Sequence, residues 1–427
     1  MWPGGSRSSE EPWRNSGDRE RRRPPTATAV LFRARVRYAV PTATAAPYRA
    51  RVRHAARPKP LAPATTGTTR TSRAERSPQM TERTADPARA AQAPCPPDPA
   101  TAPAPTPVLQ PVGRLRPDWP RTFADRLTAP LPGVGALARL AREGAVRPRP
   151  EGLRDIPLLP FEPGPLPPAG PDTLAVTWAG HASWVLRVGG LTVLTDPVWS
   201  RRIFGTPARL TPVGVRWEDL PRVDAVVISH NHFDHLDAPT LKRLPRHTPV
   251  FVPAGLGRWF ARRRFSRVTE LDWWEAAELD GVRFDFVPAH HWSKRTLLDT
   301  CRSLWGGWVL TDRSGRRVHF AGDTGYGHWF AEIGRRFPGI DLALLPIGAY
   351  APRWWLSDVH TDPEEAVRAH QDLGARRMAP MHWATFVLSS EPVLEPLTRV
   401  RTAWEQAGLP REDLWDLPVG GSRVLAP

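Results

Sequence analysis

The sequence predicts an α/β domain in its C-terminal part, preceded by a long stretch that builds no core. Three observations lead there. From about residue 172 onward, short continuous apolar runs alternate with helical patterns. Histidine- and aspartate-bearing segments follow directly on several of those runs, at the strand ends where loops carry function. Prolines lie mostly upstream: 31 of the 51 precede residue 171, a density that sustains neither helix ladders nor central strands.

Charge divides along the same line. Residues 1 to 100 hold 19 Lys and Arg against 8 Asp and Glu, which leaves 40 against 35 for the rest, so the formal charge of +16 belongs mostly to the tail. Residues 1–110, rich in Ala, Thr, Pro and Arg without periodicity, are expected to be disordered, because they bury too little apolar surface to offset chain entropy. A basic arm of this kind suits phosphate contacts with anionic lipid or nucleic acid, but a solvated tail without a partner is the preferred reading. Met80, one of four methionines, is a candidate true start. Cys95 and Cys301 lie too far apart for a disulfide framework, which favours a reducing, cytoplasmic location. No apolar run reaches the roughly 18 to 20 residues of a spanning helix. The apolar stretch after Arg21, Arg22 and Arg23 is interrupted at Arg33, Arg35 and Arg37, which argues against twin-arginine export.

Residues 111–171 read as an arm and Pro-rich connector, with a short helical pattern at Phe123, Leu127, Val134, Leu137 and Leu140. The domain proper is assigned to residues 172–427. LAVTWAG reads as a strand, and the runs Trp184 to Val188 and Leu191 to Thr195 flank Gly189-Gly190, a hairpin signal because both glycines accept positive φ. Val223 to Ser229, Val282 to Ala289, Val318 to Ala321 and Leu342 to Ile347 are further strands. A helix is expected over Trp329 to Phe337. Another spans Pro363 to Leu373, capped by Thr361 or Asp362, with Pro363 in its first turn and Gly374 closing it.

The segment SHNHFDHLD carries the chemistry. His230 and His232 at i and i+2 of an extended chain project to one side, as a single metal ion requires, and Asp234 with His235 is offset towards a second. Imidazole and carboxylate suit zinc, with iron and manganese as poorer fits. Two such ions lack ligands within this segment, so histidines and aspartates at later strand ends become the expected suppliers: Asp323 between Gly322 and Gly325, His382 in MHWATF, and one of the adjacent pair His290 and His291, which point to opposite sides. The two glycines are read as allowing close approach of backbone to a ligand.

In order along the chain, AGHASWVL, LTDPVWSRR, SHNHFDHLD, ELDWWE, HHWSKRT, LWGGW, FAGDTGY, PIGAYAPRW, HTDPEEAV and HWATF resemble the metallo-β-lactamase superfamily, most closely its branch of N-acylphosphatidylethanolamine-hydrolysing phospholipases D. The resemblance runs from about residue 172 to 425. It implies a four-layer αββα sandwich with two zinc ions between the sheets, the first held by His230, His232 and His291, the second by Asp234, His235 and His382, with Asp323 bridging. It also places Asp196 behind the ligands and gives His360 an assisting role in the chemistry. The implied reaction is attack of a metal-bridging hydroxide on a phosphodiester, releasing an N-acylethanolamine and leaving phosphatidate; His360 or a zinc-bound water would protonate the leaving oxygen. Trp292, Trp305, Tyr350, Trp354, Trp355, Trp383 and Phe386 are candidates for an apolar groove taking acyl chains, and Arg353 with Trp354 and Trp355 for a peripheral membrane contact. A homodimer is implied as well.

Two rival enzymes use the same core, a metal-dependent lactonase and a nucleotide or nucleic-acid phosphodiesterase. The domain's modest charge and the lack of a basic clamp weigh against nucleic acid as partner. A non-catalytic metal-binding protein is the third alternative, disfavoured by a full set of seven ligands.

Overall fold

The computed structural model describes residues 108–145, 147–168 and 170–425. The expectations for the tail, including its disorder, its phosphate-binding arm and a start at Met80, fall outside the described residues. Val108–Gln110, which composition had assigned to the tail, is instead a strand, β1. It pairs in parallel with Glu275–Leu279, whose outer edge would otherwise present unpaired backbone groups.

Chain order then gives α1 (Val134–Arg142), β2 (Leu174–Gly180), β3 (Ser183–Val188), β4 (Leu191–Thr195), β5 (Ala225–Val227), α2 (Ala238–Leu241), β6 (Val250–Pro253), α3 (Gly257–Ala261), β7 (Val268–Leu271), β8 (Glu275–Leu279), β9 (Val282–Val287), β10 (Gly307–Thr311), β11 (Arg317–Phe320), α4 (Trp329–Arg336), β12 (Leu342–Pro346), α5 (Arg353–Leu356), α6 (Pro363–Leu373), β13 (Arg377–Met381), α7 (Glu395–Gln406) and β14 (Ser422–Leu425). They form two seven-stranded sheets, ordered β14-β2-β3-β4-β5-β6-β7 and β1-β8-β9-β10-β11-β12-β13. This is the α/β metallo-β-lactamase sandwich that the motifs implied.

The two sheets share one connectivity. In the first, β14 to β4 are antiparallel neighbours and β4 to β7 run parallel. In the second, β8 to β11 are antiparallel and β11 to β13 parallel. No repeat is visible in the residues, because each sheet is specified by apolar alternation and turn chemistry rather than by a common motif.

Local rules account for the elements. Gly189 and Gly190 both adopt positive φ and close the β3–β4 hairpin. Every residue of β2, β4, β6, β7 and β12 is buried, as continuous apolar strands covered on both faces require. The helix α6 carries a complete capping box: Asp362 accepts from the Glu365 backbone N–H at 2.9 Å, and Glu365 accepts from the Asp362 N–H at 3.1 Å. Gly374 ends it in the left-handed region.

The arm packs along the domain. Phe123 is buried and donates its N–H to the Cys301 carbonyl, Arg116 bonds Glu270 and Glu275, and Phe161 bridges Val419. Helix α1, by contrast, has no buried residue, and Val134 and Leu137 stay exposed, so its apolar spacing does not mark a core face.

One buried group outside the site makes stability respond to pH. Burial lowers the pKa of His319 on β11 from 6.5 to about 4, against a hydrogen bond from Nδ1 to the Trp308 carbonyl that works the other way. The unfolded chain therefore takes up this proton first, and stability falls as pH drops from about 6.5 to about 4. The slope for one such proton is about 1.4 kcal/mol per pH unit. In melting temperatures measured across that window, His319→Gln is expected to flatten the acid limb by one proton's share; an unchanged limb would refute it.

Candidate metal centre

The centre forms where strand ends of both sheets meet. His181 follows β2, Asp196 follows β4, the His230 to His235 segment follows β5, His291 comes after β9, Asp323 after β11 and His382 after β13. His181, Asp196 and His382 all hold left-handed backbone (φ 56°, 31° and 64°), an uncommon conformation for residues with a Cβ and one that aims their side chains inward.

Two donor clusters result. In the first, His230 Nε2 lies 2.8 Å from His232 Nδ1, and His291 Nε2 lies 3.2 Å from that same atom. In the second, His235 Nε2 and His382 Nε2 are 3.3 Å apart and each is 3.4 Å from Asp234 Oδ2. Asp323 stands between the two: Oδ2 is 3.0 Å from His235 Nε2 and 3.9 Å from both His230 and His291 Nε2, while Oδ1 is 3.0 Å from His382 Nε2. Of the adjacent histidines, His291 is the one in the cluster. The ring of His290 is turned against Gly327 and His328, and its backbone bonds Thr324 and Gly325, which ties the two ligand loops together.

The donors are of the kind that hold divalent cations. Donors about 2.0 to 2.2 Å from a tetrahedral ion lie roughly 3.3 to 3.6 Å from one another, which the second cluster matches. No lysine or arginine among the described residues pairs with Asp234 or Asp323, although both carboxylates are enclosed by the cluster. Nitrogen and oxygen donors without thiolate suit zinc, and also iron or manganese.

Backing interactions fix the tautomers. Asp196, fully buried, accepts from the Ser229 N–H at 2.7 Å and hydroxyl at 2.5 Å, and its Oδ2 is 2.7 Å from His235 Nδ1. Its place is therefore behind a ligand, away from any substrate, and it acts by positioning. His291 Nδ1 faces the Val359 carbonyl at 3.0 Å, and His230 Nδ1 the Ser229 hydroxyl at 2.9 Å. Each leaves Nε2 pointing into the centre. Gly322 serves this packing: a Cβ there would lie 2.6 Å from Ser229 Cβ, and one on Gly325 would lie 2.5 Å from the Asp358 carbonyl oxygen. These glycines admit neighbouring chain, not a ligand.

The electrostatics favour neutral imidazole in the first cluster, protonated imidazole at His235 and His382, and ionised carboxylate. Burial pushes His230 and His291 well below the ordinary histidine range and His232 down to about 4. Burial opposes ionisation of Asp323 and Asp234, but the facing imidazoles outweigh it and hold both well below the carboxylate range. The same carboxylates raise His235 strongly and His382 to about 9 despite burial.

Sequence reasoning missed His181. Its Nε2 lies 3.0 Å from Asp234 Oδ2, its ring centroid is 4.0 Å from that of His382, and its Nδ1 is buried without a hydrogen-bond partner. The signal was available in AGHAS, a histidine directly after a strand. His360 is in the centre too, 5.2 Å from His291 and 5.5 Å from His382 between ring centroids. Of the aromatic residues nominated for an apolar groove, Trp305, Tyr350 and Trp383 are buried, whereas Trp292 meets the ring of His232 at 4.9 Å. Phe386, Leu210, Leu388 and Val393 line a small pocket of about 30 Å³ beside His382.

The chain is similar to several known proteins. The model of the beta-lactamase superfamily domain matches residues 192–383. An uncharacterized protein of Mycobacterium tuberculosis is 41% identical over 280 residues, covering 61% of this chain and 73% of its own. The N-acyl-phosphatidylethanolamine-hydrolyzing phospholipase D 1 of Caenorhabditis elegans is 38% identical, over 57% of this chain and 72% of its own length. A metal-dependent hydrolase of Nitratidesulfovibrio vulgaris is 32% identical, over 52% and 83%.

His181 backs Asp234 of the second cluster, so His181→Ala is expected to weaken retention of a metal ion there about 10- to 100-fold while one in the first cluster stays bound. Metal per chain during chelator titration reads this directly. Equal loss of both ions, or of neither, would refute the placement.

Proposed function

The chain belongs to the metallo-β-lactamase superfamily, and from that premise we propose that it is a dinuclear zinc hydrolase of phospholipase D type, cleaving N-acylphosphatidylethanolamine-like lipids to N-acylethanolamine and phosphatidate. The observation that carries the reading is the pair of adjacent donor clusters sharing Asp323: His230, His232 and His291 on one side, Asp234, His235 and His382 on the other. Zinc held by these residues would supply Lewis acidity, lowering the pKa of water towards neutrality and offsetting the charge of a phosphodiester's anionic oxygens.

The chain's own residues do the rest. Asp323, reaching both clusters, spaces and orients them. Asp196 and Ser229 fix His235 and His230 from behind, so that the donors need little reorganisation. His360 is held by two bonds, its N–H to the Leu356 carbonyl at 2.8 Å and its carbonyl from Arg353 at 2.9 Å. Burial lowers its pKa to about 4, which favours a neutral imidazole, so of the two acids that the resemblance implied, His360 or a zinc-bound water, His360 would have to gain its proton during turnover. Its buried, unpartnered Nδ1 offers a place for that proton. The likeness to the Caenorhabditis elegans enzyme supports the lipid substrate class.

The test is mass spectrometry of products after zinc-loaded protein meets vesicles containing N-acylphosphatidylethanolamine and ordinary phospholipids. N-acylethanolamine and phosphatidate are expected, with turnover lost by at least about a thousandfold in Asp323→Ala. A protein that holds two metal ions yet turns over no lipid would overturn the proposal and direct attention to lactones and nucleic-acid diesters.

A further inference from the structure

Resting on the lipid reading above, we propose that the protein docks on an anionic bilayer through the tips of two loops, residues 201–206 and 294–299, which frame the open side of the metal centre. The centre is enclosed unevenly. His230, His235, His291 and His382 are buried, whereas His232, Phe233 and Asp234 are partly exposed, so solvent reaches it past Phe233. Phe233 is also where the two loops meet: its ring is 4.9 Å from that of Phe204, and the Arg295 guanidinium lies 4.1 Å from the centroid of the same ring.

Beyond Phe233 the loops end in apolar tips. Leu297 is 90% exposed, Leu298 80% and Phe204 78%. The tip bearing the leucines is held outward by specific bonds. Asp299 accepts from the Arg295 and Thr296 N–H groups at 2.9 and 2.7 Å, and the Arg295 guanidinium is anchored on the Asn231 and Leu236 carbonyls at 3.1 and 2.7 Å. Large apolar side chains presented on built turns, beside a catalytic opening, mark a contact surface. The surrounding charge selects the partner. Arg201, Arg202, Lys294 and Arg302 lie in these two segments or next to them, and the one carboxylate in the segments, Asp299, is engaged by backbone. Apolar tips ringed by cations fit lipid headgroups over an acyl layer.

This is not the surface that the sequence nominated. Arg353 is paired with Glu365 at 2.8 Å, and Trp354 donates to Glu143 at 3.0 Å beneath the Arg139 guanidinium, so both are engaged within the chain.

The experiment is flotation of the full, zinc-loaded chain with phosphatidylcholine and phosphatidylglycerol vesicles at high salt, where attraction of the basic tail to lipid is screened. The combined variant Phe204→Ser, Leu297→Ser and Leu298→Ser is expected to partition about tenfold less or weaker still, with metal content and melting temperature unchanged. Partitioning equal to that of the parent overturns the proposal, as does a parent that does not float. Val134→Ser removes a comparably exposed side chain on α1; loss of binding there, with the loop variant unaffected, would move the surface to α1 and overturn it equally. Hydrolysis is scored on the same samples: vesicle binding that depends on the loops, in a protein that turns over no lipid, supports the surface while sinking the catalytic reading.

Discussion

The rest of the structure depends on one constraint, the enclosure of buried Asp323 and partly exposed Asp234 among histidines, with no lysine or arginine among the described residues to pair with them. A carboxylate taken out of water must either give up its charge or meet compensating charge close by. Here it meets imidazoles on several sides. That arrangement is stable only if the rings cannot rotate away, which is why so many groups outside the centre are bound to its back: Asp196 and Ser229 to His235 and His230, the Val359 carbonyl to His291, Thr385 to the His181 N–H.

The sandwich suits such a centre because it brings strand ends of two sheets to one place. Each sheet changes from antiparallel to parallel pairing within its width, and in the parallel part consecutive strands deliver their C-terminal ends to the same side. β5 supplies the histidine-rich turn from one sheet, and β11 and β13 supply Asp323 and His382 from the other. Rigid strands set the positions, while short loops such as the one after Phe320 provide the left-handed and glycine conformations that turn side chains inward. Glycines 322 and 325 belong to this loop chemistry, since any Cβ would separate the Asp323 loop from the neighbours that hold it.

What could be read from the chain follows from how local each feature is. His230 to His235 are contiguous, so their spacing alone declares a metal-binding turn, and the capping box of α6 is visible within four residues. The choice between His290 and His291 could not be made from spacing, because it depends on the bridge between His290 and Gly325, which lies 35 positions away. The resemblance named His291, and it is His291 that lies in the cluster. His181 escaped notice because a single histidine after a strand looks like any strand-end residue until Asp234, 53 positions on, is seen beside it. Apolar spacing misled at α1, where Val134 and Leu137 face solvent, and aromatic content misled at Trp305 and Tyr350, which build core. The tips at Phe204, Leu297 and Leu298 leave no periodic trace, since exposure is a property of the assembled loops.

The protonation pattern unites the carboxylates, the histidines and the chemistry proposed for them. Within the chain alone, raised pKa values at His235 and His382 mean that these two rings hold protons, and those protons balance the charge of Asp234 and Asp323. His230, His232 and His291, facing fewer carboxylate oxygens, are kept neutral by burial. A cation entering the second cluster would have to displace imidazolium protons. The carboxylates that would draw a divalent ion to it are the same groups that hold its competing protons, so binding there is opposed by acid. Asp323, shared between the clusters, couples the two.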